Sequence, residues 1–131
     1  MRLLTPALIL ALTLGSVVSA QTPLRDVPAI DNGLMNVAIA DAIRKSCDNI
    51  NARLIRAYSE LNRLKALARD MGYTEKEVER YVTSREEKAR MKAKAEQFLA
   101  ENGVRADDIP ALCRFGQRQI ESQTEIGQLL R

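Results

Sequence analysis

The sequence predicts an all-α fold, a small bundle of four to six helices held by one disulfide after a cleaved signal peptide. Apolar residues recur every three and four positions over long stretches, the spacing of an amphipathic helix. No stretch shows useful strand alternation. Glycine (6) and proline (4) are scarce among 131 residues, which argues against a loop-rich chain.

The first twenty residues have the three parts of a secretory signal peptide. Arg2 is basic, residues 7–14 are apolar, and Val18 and Ala20 are small residues at the positions that precede a cleavage site. A membrane anchor is the alternative, but the apolar run is shorter than the roughly 20 residues that span a bilayer. We therefore predict cleavage after Ala20, no stable membrane span after cleavage, and a periplasmic or secreted protein.

The mature chain is predicted to begin with an extended arm. Residues 21–32 contain Pro23 and Pro28 and show little periodicity, which is typical of an irregular segment. The helical domain is expected to cover 33–131, and its first helix to run over 33–46. Cys47 and the polar residues that follow it indicate a break.

The second predicted helix, 50–71, has the clearest apolar stripe in the chain. Gly72 follows it, as expected for a C-terminal cap. The stripe predicts a face buried in the core, with Tyr58 among the buried side chains. Its members are Leu54, Tyr58, Leu61, Leu64, Leu67 and Met71.

Capping signals divide the rest of the chain. Thr74 and Glu77 form one capping box and Ser84 and Glu87 offer a second, so a third helix should break near Thr83 and a fourth should run to about residue 101. Asp107 and Asp108, with a proline in the first turn, predict a last helix over 107–121. A final piece over 124–130 is expected to continue it.

The two cysteines, Cys47 and Cys113, both lie in the predicted mature chain. Two thiols in an exported chain are most simply one disulfide. A reactive pair is the alternative, but redox catalysts typically use a Cys-x-x-Cys spacing, and these two residues lie far apart. The pair therefore predicts a structural link between the first and last helices of the domain.

Composition excludes several kinds of chemistry. The chain has no His, which removes His-based triads and His-ligated metal sites. A formal net charge of +3 is small for a nucleic-acid-binding protein, and Trp is absent. No glycine-rich phosphate loop is present. We therefore predict no enzyme activity, no cofactor, no metal site and no nucleic-acid partner.

The most basic stretch of the chain lies in the predicted fourth helix. Lys88, Arg90, Lys92 and Lys94 are candidate contacts for an anionic surface or an acidic partner. Alternatively they form a solvated helix face, because their charges spread over a broad arc. Glu86 and Glu87 also lie one turn from Arg90 and offset part of the charge.

The C-terminal leucines, Leu129 and Leu130, form a second candidate site. An apolar pair near the end of the chain either packs on the domain or contacts a partner protein. The sequence favours packing on the domain but leaves the partner contact open.

Several short strings resemble an uncharacterised family of small exported bacterial proteins, a domain of unknown function. The resemblance covers most of the mature chain and implies no catalytic residues. Some members carry an NADH dehydrogenase subunit label, which the chain does not support directly because it lacks clustered cysteines and a dinucleotide-binding loop. The strings are Ile39–Arg44 followed by Cys47, Ala57–Ser59, Asp70–Tyr73, Glu86–Arg90 and Ala100–Val104.

These observations predict a non-enzymatic interaction, accessory or assembly factor of the cell envelope with a protein partner there, and an association with respiratory NADH dehydrogenase is one form of this role. The alternative is a periplasmic binder of a small molecule or of an anionic envelope component. The alternative requires a cavity between helices, or a basic face that the fold leaves uncompensated.

Overall fold

The computed structural model describes residues 20–131, so the predicted signal peptide, apart from Ala20, lies outside the described residues. The described chain is all-helical, as predicted. Short 3-10 helices occur at Leu24–Asp26 and Gly127–Leu129. The α-helices are α1 (Pro28–Ser46), α2 (Leu54–Asp70), α3 (Glu75–Thr83), α4 (Arg85–Glu101) and α5 (Ile109–Glu121).

The prediction of an extended arm over 21–32 was wrong for most of that range, because Leu24–Asp26 form a 3-10 helix and α1 begins at Pro28. A proline is well suited to the first turn of a helix, where its missing N–H has no partner to lose. Val27 precedes it with extended backbone angles, as a residue before proline requires. Leu24, Val27 and Ile30 are buried in a small apolar cluster with Tyr73, Ala68 and Val78.

Helix α1 occupies the centre of the fold and packs against α2, α4 and α5. Its buried apolar side chains from Met35 to Ile43 join the larger of two apolar clusters, which α5 and the C-terminal residues complete. The most deeply buried large side chains belong to this cluster: Ile39, Ile43, Ile50, Leu112, Phe115 and Leu130. No helix within residues 20–131 combines the length and apolar character needed to cross a membrane.

The predicted disulfide between Cys47 and Cys113 is present. Cys47 follows the last residue of α1, and Cys113 lies in α5. The two residues are 66 positions apart in sequence, and their Cα atoms are 5.6 Å apart. The bond therefore joins the central helix to the last α-helix and closes a loop that contains α2, α3 and α4.

The C-terminal residues pack on the domain. The Asn51 N–H donates to the Arg131 carbonyl (2.7 Å), and the Arg131 N–H donates back to the Asn51 carbonyl (2.8 Å). The side chains of Leu129 and Leu130 are buried in the larger cluster. A partner contact through Leu130 is therefore not supported, since its side chain is fully buried, whereas Leu129 also lines an open groove that is described below.

The helix caps at Thr74 and Ser84 form as the sequence predicts, except that the second capping box is incomplete. Both hydrogen bonds of the Thr74–Glu77 capping box are present. The helix is interrupted at Ser84, which separates α3 from α4, and the Ser84 Oγ accepts a hydrogen bond from the Glu87 N–H (3.2 Å). The Glu87 carboxylate does not complete the second capping box, because it binds Arg90 and Arg25 instead.

The predicted stripe of α2 is buried only around Leu64, and its last member, Met71, is also exposed. Leu64 and Ala68 are in the core, but Leu54 and Tyr58 are 69% and 68% exposed, so the predicted burial of Tyr58 was wrong. The repeat of three and four residues identifies one apolar face of a helix, but it does not say how far the neighbouring helices cover that face. In the first half of α2, Ala57 packs against the larger cluster, while Leu54 and Tyr58 remain open to solvent.

Candidate functional site

An apolar groove lies beside the exposed half of α2. It has a volume of about 520 Å³ and opens to solvent. We call it the α1–α2–α4 groove, because α1 forms its base and α2 and the α3–α4 junction form its sides. Its main apolar lining residues are Leu34, Val37, Leu54, Ala57, Leu61, Val82, Met91 and Leu129, one of the two predicted partner-contact leucines.

Helical spacing explains why each side of the groove is continuous. On α1, Leu34, Val37 and Asp41 are separated by three and four positions, so they lie on one face of the helix. On α2, Leu54, Leu61 and Lys65 also recur at helical spacing. The same pattern that predicted a buried face on α2 therefore lines this groove.

Three large apolar side chains at the start of α2 project into solvent next to the groove. Leu54 contributes to the groove, Tyr58 lies one turn further along the helix, and Ile55, the most exposed, is 87% accessible. We call these three residues the α2 ridge. Isolated exposed apolar residues are ordinary, but a contiguous group beside an apolar groove is typical of an interaction surface.

The charged residues at the rim of the groove differ in their pairing. Asp41 binds Arg44 (2.7 Å) and Lys45 (2.5 Å), and the rim carboxylate of α4, Glu87, is likewise paired. Lys65 on α2 and Lys88 on α4 make no ion pair with any residue in 20–131. The net uncompensated charge at the rim is therefore positive and comes from opposite sides.

A buried carboxylate on α1 binds another face of α4. The Asp31 side chain, on α1, is 6% exposed, and its Oδ1 accepts from Arg90 Nη2 (2.6 Å) and from the Tyr81 hydroxyl (3.0 Å). Its Oδ2 accepts from Lys94 Nζ (2.5 Å). We call these four residues the Asp31 cluster. The cluster fixes α3 and α4 against α1 and thereby fixes one side of the groove.

The cluster shifts the pKa values of its members. Burial by itself would raise the pKa of Asp31, but hydrogen bonds from Arg90, Lys94 and Tyr81 outweigh it and hold the pKa below its usual value of 3.8. Burial and the hydrogen bond to Asp31 raise the pKa of Tyr81 to about 12. Asp31 is therefore an anion, and Tyr81 a neutral donor, at any physiological pH.

The structure divides the four predicted basic residues into two pairs. Arg90 and Lys94 point inward to Asp31, so their charges are offset within the fold. Lys88 lines the groove, and Lys92 is exposed and 3.9 Å from Glu96. The four side chains therefore do not form one continuous anion-binding face.

Sequence reasoning missed Asp31, because residues 21–32 were assigned to an extended arm. The signal that could have found it is Pro28, which suits the first turn of a helix. With α1 starting there, Asp31 is one turn before Met35, a buried residue on the same face. Residues 20–131 contain no cluster of three metal-ligating side chains of the His, Cys, Asp and Glu types.

We expect the Asp31→Asn variant to lose less stability in acid than the unaltered protein. Because the native pKa of Asp31 is lowered, its contribution to the free energy of unfolding is complete above about pH 5 and is lost as the pH falls through 3.8 and below. Urea unfolding followed by circular dichroism from pH 7 to pH 2.5 measures this slope.

The matched control is Asp107→Asn. Asp107 also pairs with an arginine and has a lowered pKa, but both partners are largely exposed and solvent screens the pair. We expect the free energy of unfolding of this control to fall with decreasing pH almost as steeply as that of the unaltered protein. An Asp31→Asn variant with the same slope as the control would contradict a special role for the buried carboxylate.

Comparison with family models gives one match, which spans residues 22–131 and is described as a Family of unknown function (DUF5333). The chain belongs to DUF5333. The match covers the α1–α2–α4 groove, the α2 ridge and the Asp31 cluster, and it agrees with the resemblance to an uncharacterised family. Comparison of this DUF5333 chain with curated proteins and with solved structures found no match.

Proposed function

We propose that this DUF5333 protein is a non-enzymatic interaction protein of the cell envelope, which acts as an accessory or assembly factor for another protein. The α1–α2–α4 groove together with the α2 ridge is the observation that carries the proposal. Fully burying one large apolar side chain contributes about 1.5–3 kcal/mol. Leu54, Ile55 and Tyr58 are thus available to supply binding energy without any change of fold.

The envelope location in this proposal is supported by two features. The first residues have the pattern of a signal peptide, and the Cys47–Cys113 disulfide is of a kind that persists in oxidising compartments. A respiratory NADH dehydrogenase is a partner to test, because the resemblance described in the sequence analysis implies that association. For an exported chain, the contact would be with the outer face of the membrane arm.

A periplasmic binder of a small molecule or of an anionic envelope component is the second candidate. The groove volume of about 520 Å³ supports it, because ligand pockets measure roughly 300–1,000 Å³. The α2 ridge favours the first candidate, since a ligand within the groove would leave Ile55 uncovered. A protein partner can cover the groove and the ridge together.

The test is affinity recovery from the native host. A tag is placed after Arg131, which is exposed, and mildly crosslinked envelope and soluble fractions are compared for co-purifying proteins. An Ile55→Asp variant is expected to lose the partner at least tenfold. Ile55 lies in the first turn of α2, where an acidic side chain favours the helix, so the fold should be retained.

The matched control is Ile109→Asp, at the start of α5 and away from the ridge. We expect it to recover the partner at the unaltered level. Recovery of the protein alone, or equal recovery with Ile55→Asp, would overturn the proposal. Enrichment of NADH dehydrogenase subunits over a matched exported control protein would identify the partner.

A further inference from the structure

The groove has the form of a helical bundle with one helix missing. Helix α1 packs against both α2 and α4, which stand on either side of it. The space above α1 is lined by apolar side chains from all three helices and remains open to solvent. In closed bundles, a further antiparallel or parallel helix fills such a position.

The length of the groove suits a short helix. On α2 the lining extends from Leu54 to Lys65, and on α1 from Leu34 to Arg44. At 1.5 Å per residue, each side is about 15 Å long, or about three turns of helix. An amphipathic helix that binds in such a groove inserts side chains at positions i, i+3, i+4 and i+7.

The charges at the rim define what such a helix must carry. The rim carboxylates Asp41 and Glu87 already bind cations of this chain. Lys65 and Lys88, on opposite sides, have no ion-pair partner within residues 20–131. An occupant with acidic residues along both flanks of its apolar face would pair with both lysines, whereas a basic occupant would be repelled.

The shape of the surface argues against a bilayer as the occupant. Val37 and Ala57 line the groove between the projecting helices and are only partly exposed. A flat membrane surface would contact the α2 ridge but would not reach these residues. A helix reaches the base of the groove and contacts the ridge along its side.

We infer that the α1–α2–α4 groove binds an acidic amphipathic helix of about three turns from a partner protein. This inference rests on the proposed function, which requires a protein partner but does not specify its chemistry. The helix places its apolar face on α1 and α2, and its carboxylates pair with Lys65 and Lys88.

The first experiment identifies what occupies the groove. A photo-crosslinking phenylalanine derivative replaces Tyr58 in the full chain in its native host, and a control replaces Arg114, an exposed residue of α5. Mass spectrometry of the crosslinked peptide is expected to give an amphipathic segment flanked by Asp or Glu, at position 58 only. Adducts with a lipid, with a second copy of this chain, or with a non-acidic segment would overturn the inference.

The second experiment tests the charges. A synthetic peptide of the captured segment is titrated onto the purified protein, onto Lys65→Glu/Lys88→Glu, and onto Lys76→Glu/Arg114→Glu, which makes the same change of charge away from the groove. We expect the groove variant to bind at least tenfold more weakly and the control to bind equally. A peptide with its acidic residues changed to Lys should regain affinity for the groove variant.

The outcomes separate this inference from the proposed function. If no protein adduct forms at position 58, both fail. If a protein adduct forms but the Lys65→Glu/Lys88→Glu variant binds the peptide as well as the unaltered protein does, only the inference fails, because a partner is present and its charge does not matter.

Discussion

Replacing Cys47 and Cys113 together by alanine is expected to lower the free energy of unfolding by about 4 kcal/mol. The disulfide restricts the unfolded chain by closing a loop between residues 66 positions apart, and the chain-entropy model assigns that amount to such a loop. Domains are typically stable by only about 5–15 kcal/mol, so the loss is a large share. Urea unfolding at pH 7, followed by far-ultraviolet circular dichroism, measures it.

Two controls make this prediction specific. The unaltered protein unfolded with a reductant should fall to about the stability of the double variant, since both lack the link. An Ala100→Ser variant on the exposed face of α4 should change the free energy of unfolding by less than about 0.5 kcal/mol. A double variant within 1 kcal/mol of the oxidised protein would show that the link does little for stability.

Replacing Arg90 by methionine is expected to lower the free energy of unfolding by about 2–3 kcal/mol. Removing one partner of a buried ion pair costs about 3–5 kcal/mol, because the other charge stays buried without compensation. The lower value applies here, because Arg90 is 28% exposed and Lys94 still binds Asp31. The same urea titration measures the change, and Lys92→Met on the exposed face of α4 serves as the control.

A double-mutant cycle shows whether the effect comes from the pair. In an Asp31→Asn background Arg90 no longer neutralises Asp31 and keeps its ion pair with Glu87, so Arg90→Met should cost clearly less than in the unaltered protein, about 1 kcal/mol. Equal costs in the two backgrounds would attribute the loss to the packing of the arginine stem and would contradict the electrostatic explanation.

Local chemistry was sufficient to predict most helix ends. Thr74, Ser84 and Asp108 cap helices through hydrogen bonds to residues three positions later, and such contacts can be read from the sequence. Gly72 and Gly103 follow helix ends with positive φ, a conformation that glycine adopts without strain. The disulfide could also be predicted from the sequence, because the chain has two cysteines and they can pair within it in one way.

The groove and the Asp31 cluster could not be predicted, because both depend on contacts between distant residues. Asp31 binds Arg90 and Lys94, which are 59 and 63 positions away. Leu54 and the buried Leu64 belong to the same apolar stripe of α2, and that stripe does not show which of them other helices cover. The separation of the basic residues of α4 into two pairs could not be predicted for the same reason, since Arg90 and Lys94 bind Asp31 on α1.

The burial of Leu130 has a consequence for when this chain folds. Ile126, Leu129 and Leu130 complete the larger apolar cluster, and Asn51 exchanges two backbone hydrogen bonds with Arg131. Until residues 126–130 have been synthesised and have left the ribosome, the larger cluster lacks these side chains and cannot reach its final packing. Final packing around α1 is therefore expected to follow the synthesis of α2, α3, α4 and α5 instead of accompanying it.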